Sequence, residues 1–129
     1  MTVEEEYRAR LGADAGLASL VGDRIYPGEV PDHDAPPPWI YFAVVQSSPI
    51  QVLDGPSLKA QHVLEFDVLA ETYGKWKEIE ALLIKSLDAD DVFGVVSMSI
   101  WSGSSHEVVD GGHHGTVTVT CHGPTNLPA

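Results

Sequence analysis

Trp39-Ile40-Tyr41-Phe42-Ala43-Val44-Val45 is the stretch that decides the fold. It holds no glycine, proline or charge, and aromatic and β-branched side chains dominate it, so it reads as a strand. Trp39, Tyr41, Ala43 and Val45 point one way; Ile40, Phe42 and Val44 point the other. Both sets are apolar. That is the pattern of a strand inside a sheet with both faces covered, and the spacing predicts a central position for it.

Working toward the N-terminus, residues 27–38 carry five prolines, including Pro36-Pro37-Pro38, and predict an extended surface loop. Before it, Gly22-Asp23-Arg24-Ile25-Tyr26-Pro27 ends one element and starts another. Gly22 suits a helix C-terminus, Arg24–Tyr26 a short strand, and Pro27 stops that strand. Residues 3–21 read as helix: Tyr7, Leu11, Leu17, Leu20 and Val21 form an apolar stripe. Glu4, Glu5 and Glu6 fall in the first turn, where the helix dipole favours anions. Gly12 and Gly16 weaken the middle, and Asp14 is placed to cap a second, shorter helix.

On the C-terminal side, Gln46–Gln61 reads as a long protruding hairpin loop, with Ser47-Ser48-Pro49 at one end and Asp54-Gly55-Pro56-Ser57 at the other. Ile50, Val52 and Leu53 are apolar within it. An apolar patch on a protruding loop suggests a partner contact, and Ile50, Val52, Leu53, Asp54 and Lys59 are its candidate residues. The other reading is that the loop folds back onto its own domain. His62–Ala70 is the next strand, with His62, Leu64, Phe66, Val68 and Ala70 on one face. A helix starts at Thr72 or Tyr73-Gly74 and buries Trp76, Ile79, Leu82, Leu83 and Leu87. Val95–Ser102 sets Val96, Met98 and Ile100 against Val95, Ser97 and Ser99. A Gly/His-rich turn follows, and Gly115–His122 alternates with Val117, Val119 and Cys121 inward. The expected fold is α+β: an antiparallel or mixed sheet of about four to five strands, packed with two main helices. Strands 39–45 and 62–70 form one hairpin, and 95–102 and 115–122 another.

Length and composition limit what such a domain does. With 129 residues, 43% hydrophobic and 20% charged, the chain fits one domain, residues 1–129. Nineteen acidic against seven basic residues give a net charge of −12. Such a surface is repelled by nucleic acid and anionic lipid, and it also keeps a protein soluble. The lone Cys121 excludes an internal disulfide and reads as a small core hydrophobe. The acidic N-terminus does not read as a signal peptide, and no apolar run approaches membrane-spanning length.

The chemistry-bearing residues form no strong constellation. His106, Glu107, Asp110, His113 and His114 are ligand types that zinc or nickel uses. Their spacing is poor, because adjacent His113 and His114 point opposite ways on extended backbone. The competing reading is a polar hairpin turn on Gly111-Gly112. Ser104, Ser105 and His106 lack a nucleophile elbow, and no phosphate-cradling glycine loop is present. Glu65 and Asp67 share a strand face and read as facing water or a neighbouring subunit. No catalytic or metal residue and no cofactor is expected.

The order of landmarks carries more than any one of them. Asp14-Ala15-Gly16-Leu17-Ala18-Ser19-Leu20-Val21-Gly22-Asp23-Arg24-Ile25-Tyr26-Pro27 precedes the Pro-rich loop, then the aromatic strand, then Leu53-Asp54-Gly55-Pro56-Ser57, then Thr72-Tyr73 and a helix. Over roughly residues 5–90 this resembles the tail completion (tail terminator, head–tail joining) proteins of long-tailed bacteriophages and related gene transfer agents. The His/Gly-rich turn departs from that pattern. The resemblance implies a structural virion protein rather than an enzyme. It implies a homo-oligomeric ring, commonly of six subunits, that caps the tail tube and docks onto the head-closure or connector protein. DNA passes through its lumen, no membrane is involved, and the ring sits at the tail–neck junction after assembly in the bacterial cytoplasm. Two alternatives stay open: another neck component, such as a head-closure or adaptor protein, and a small metal-dependent enzyme using His106–His114.

Overall fold

In a computed structural model of the chain, three helices cover one face of a five-stranded mixed sheet. The structure describes residues 3–28, 37–52, 55–88, 96, 98–109 and 112–124. The elements are α1 (Val3–Gly12), α2 (Ala15–Val21), β1 (Ile25–Pro27), β2 (Trp39–Val52), β3 (Gly55–Ala70), α3 (Tyr73–Leu87), β4 (Met98–Val109) and β5 (Gly112–Pro124). The strand order is β1-β2-β3-β5-β4; β1 runs parallel to β2, and every other neighbouring pair is antiparallel.

The helices form where the apolar stripe and the caps agree. In α1, Val3, Tyr7 and Leu11 recur every four residues and are buried, with Glu4, Glu5 and Glu6 in the first turn. The helix breaks at Asp14, whose Oδ1 accepts the Leu17 N–H at 3.0 Å and so caps α2. Its Oδ2 accepts the Ser86 hydroxyl at 2.8 Å, tying α2 to α3. These bonds, Leu17 N–H first and Ser86 second, hold the Asp14 carboxyl below its ordinary value. A depressed carboxylate stabilises the fold above the ordinary carboxylate range and loses that contribution as pH falls through the folded value. Asp14→Ala is therefore expected to cost about 1 kcal/mol at neutral pH and less in acid, measured by urea unfolding at pH 7 and pH 3.

Arg24 joins the helical segment to the sheet. Its Nε donates to Pro38 O at 2.9 Å, its backbone N–H to Val21 O at 3.0 Å, and its carbonyl accepts from Ile40 N at 3.0 Å. One residue thus fixes the end of α2, the start of β1 and the entry into β2. The core fills the space between helices and sheet. Phe66 stacks on Phe42 with centroids 4.9 Å apart and meets the edge of Tyr7 at 5.7 Å. Leu64, Val68, Ile40, Val117, Val119 and Cys121 surround them, fully buried. Thr72 caps α3 through the Lys75 N–H, and Trp76, Ile79, Leu83 and Leu87 face the sheet.

Four sequence expectations need correction. The loop expected at Gln46–Gln61 is largely strand: β2 runs to Val52, β3 starts at Gly55, and their pairing continues to Val52↔Gly55. The Gly/His-rich turn is likewise strand, since β4 pairs with β5 as far as Val109↔Gly112. In both cases a cross-strand partner imposes extended backbone on residues of modest strand preference. The central strand is β3, flanked by β2 and β5, and β2 lies one place nearer the edge. The β2 faces are also unequal. Ile40 and Phe42 are buried under helices, whereas Trp39, Tyr41 and Ala43 are only partly covered and Val45 is 52% exposed.

Candidate assembly surface

The face of the sheet away from the helices is open among the described residues, and the register arranges it in rows. Trp39, Leu69, His114 and Glu107 lie side by side across β2, β3, β5 and β4; at the other end the row is Gln46, Val63, Thr120 and Ile100. Between them Asp67 accepts the Thr116 hydroxyl at 2.8 Å, and Glu65 stands exposed. Apolar side chains thus sit at both ends, with carboxylates and threonines between. No lysine or arginine falls on these rows.

The sheet edges are unequal. At one edge β1 has three residues. At the other β4 has twelve, mostly exposed, and no described strand pairs with its outer side. Such an edge offers a row of backbone donors and acceptors to another chain. Asp88 at the end of α3 occupies one of them, accepting the Trp101 N–H at 3.2 Å. Ile100, Trp101 and Val108 are exposed along the same strand. The sequence reading missed this edge because Ser104, Ser105 and Gly103 look like turn residues. The alternation in β5 does not reveal it, because β5 already pairs along its length with β3.

The hairpin residues singled out from sequence occupy β2, β3 and the segment between them. Ile50 and Val52 belong to β2, and Lys59 belongs to β3, where it pairs with Pro124. Leu53 and Asp54, and the side chains of Ile50, Val52 and Lys59, lie outside the described residues.

The residues that invited a chemical reading are separated by the strands. His106 and His113 meet on the helix side, with Nε2 to Nδ1 at 3.0 Å and rings stacked at 5.2 Å beside Trp76 and Tyr73. His114 and Glu107 meet on the open side, Nδ1 to Oε1 at 3.3 Å. Among the described residues no group of three or more His, Cys, Asp or Glu can hold a metal. Asp110 lies outside them. Ser105 and His106 alternate onto opposite faces, and Ser104 Oγ accepts the Trp101 indole N–H at 3.0 Å. Cys121 is fully buried, and burial pushes its thiol up to about 11, which suppresses the thiolate a nucleophile needs. Tyr7 is similarly pushed up by burial; Ser99 donates to Leu87 O, so the tyrosine hydroxyl donates to Ser99 Oγ at 2.7 Å. That chain joins α1, α3 and β4 inside the core. No described helix is long and apolar enough to cross a membrane.

No curated protein matches the chain. Among solved structures, a chain from the virion of a native gene transfer agent (GTA) particle matches with a TM-score of 0.77 at 18% identity, over 95% of this chain and 95% of that one. At that identity the likeness is one of fold. The model of one protein family, described as tail completion protein gp17, matches residues 5–121, most of the chain. The chain belongs to this tail completion family, and it is a structural protein of the phage tail and neck.

Proposed function

We propose that copies of this chain form a ring, six subunits in number, at the head-proximal end of the tail tube. The ring caps the polymerised tube and presents the surface that docks onto the head-closure or connector protein. DNA passes through its lumen without specific binding. The particle is assembled in the bacterial cytoplasm, and the ring remains at the tail–neck junction. The observation that carries this reading is the family match across residues 5–121. The fold supports it with a partly apolar sheet face and a twelve-residue edge strand that no described strand pairs on its outer side, features that subunit contacts would cover. The net charge of −12 suits a lumen that duplex traverses without sticking.

The hairpin at residues 46–61 is part of the proposal as a contact with a neighbouring subunit or with the tube. The double substitution Val52→Asp and Leu53→Asp is expected to weaken assembly about tenfold or more while leaving the thermal unfolding midpoint within a few degrees. Sedimentation velocity, with a pull-down on purified tail tubes, reads the loss. Unchanged sedimentation and unchanged tube binding would remove the hairpin from the interface.

A further inference from the structure

We infer that the open sheet face is the seat of a second copy of this chain, which docks its α3 there. The inference rests on the ring reading and names the surfaces that would build it. Its first support is the mismatch along β2. Trp39, Tyr41 and Ala43 continue an apolar pattern suited to a strand covered on both faces, yet only the Ile40/Phe42 side is covered by described residues. Leu69 and Val63 on β3 and Ile100 on β4 extend the uncovered apolar surface, and Ile100 is 46% exposed. Four strands and about seven residues of register make a face of about 19 by 24 Å before side-chain relief is counted. That projected area, about 460 Å², is a little over half of the roughly 800 Å² of accessible surface that each partner gives to a specific interface, and side-chain relief adds to it.

Charge selects the occupant. The open rows carry Glu65, Asp67 and Glu107 and no cationic Lys or Arg. Among the described elements, α3 alone has more basic than acidic residues: Lys75, Lys77 and Lys85 against Glu78 and Glu80. Lys75 pairs with Glu71 at 3.6 Å and Lys77 with Glu80 at 2.8 Å, but both lysines are half-exposed and such surface pairs are weak enough to exchange partners; Lys85 makes no ion pair among the described residues. Tyr73, 53% exposed, gives the same helix an aromatic anchor. The open face and α3 lie on opposite sides of one sheet. A contact between them is therefore head-to-tail, a class of interface that does not stop at a dimer and that closes into a ring when its rotation divides the circle.

Charge exchange on the full chain tests this. Glu65→Lys with Glu107→Lys is expected to weaken self-association about tenfold or more in sedimentation velocity, with circular dichroism and the melting midpoint near wild type. Adding Lys75→Glu and Lys85→Glu to that chain restores opposite charge across the contact and is expected to recover most of the loss. Wild-type association by the open-face variant would overturn the inference. So would a loss that the second pair fails to recover, because the face would then meet a surface of the neighbouring copy other than α3, while the ring reading stood. A wild type that stays monomeric at every concentration would overturn the ring reading and this inference with it.

Discussion

Gly115→Ala is expected to lower stability by about 3 kcal/mol and the melting midpoint by roughly 12 °C. A β-carbon at Gly115 would lie 2.1 Å from Trp76 Cζ2 and 2.4 Å from the Ser105 carbonyl oxygen. The first neighbour is the largest fully buried side chain on α3; the second is backbone of the adjacent strand and cannot swing away. The indole lies where an alanine methyl would be, so α3 reaches the sheet only because residue 115 has no side chain. If this account is right, Trp76→Phe relieves part of the clash. The double variant should then cost less than the two single costs added, a coupling that a thermodynamic cycle measures. Additive costs would place the clash elsewhere.

The second large effect concerns Phe66, on the central strand. Phe66→Ala removes the ring that stacks on Phe42 and meets the edge of Tyr7, and it leaves a cavity between β2 and α1. The expected loss is about 4 kcal/mol, a large fraction of the stability of a domain this size. Chemical denaturation should show a lower midpoint with an unchanged slope. A loss below about 1 kcal/mol would mean that the helices close over the gap and that the core is less rigid than its packing indicates.

Both substitutions act where local sequence and tertiary structure agree, and there the fold was legible. The break at Asp14, the Thr72 cap, and the inward faces His62–Ala70 and Val117–Cys121 all follow from patterns spanning a few residues. The misread segments depend on distant partners. Residues 46–52 and 103–109 are rich in serine, glycine and proline and carry little intrinsic strand preference; the pairing with β3 and β5 extends them. Ser99 is buried and Ile100 exposed, the reverse of hydrophobic expectation. The Tyr7 hydroxyl and the Leu87 carbonyl supply the serine's partners, and no sequence period records them. The open sheet face was legible only as an excess: the Trp39–Val45 strand is more apolar than the covering by described residues requires. Of the hairpin residues, Ile50, Val52 and Leu53 stand out by apolarity, with the charged Asp54 and Lys59 beside them, and the side chains of all five lie outside the described residues.

The central claim is that this chain works by closing a ring on the end of a tube. Negative-stain electron microscopy of the purified full-length protein, alone and mixed with purified tail tubes, tests it most directly. The account predicts annular particles of six subunits and tubes bearing one such ring at a single end. Protein that stays monomeric and leaves both tube ends bare at every concentration would contradict it.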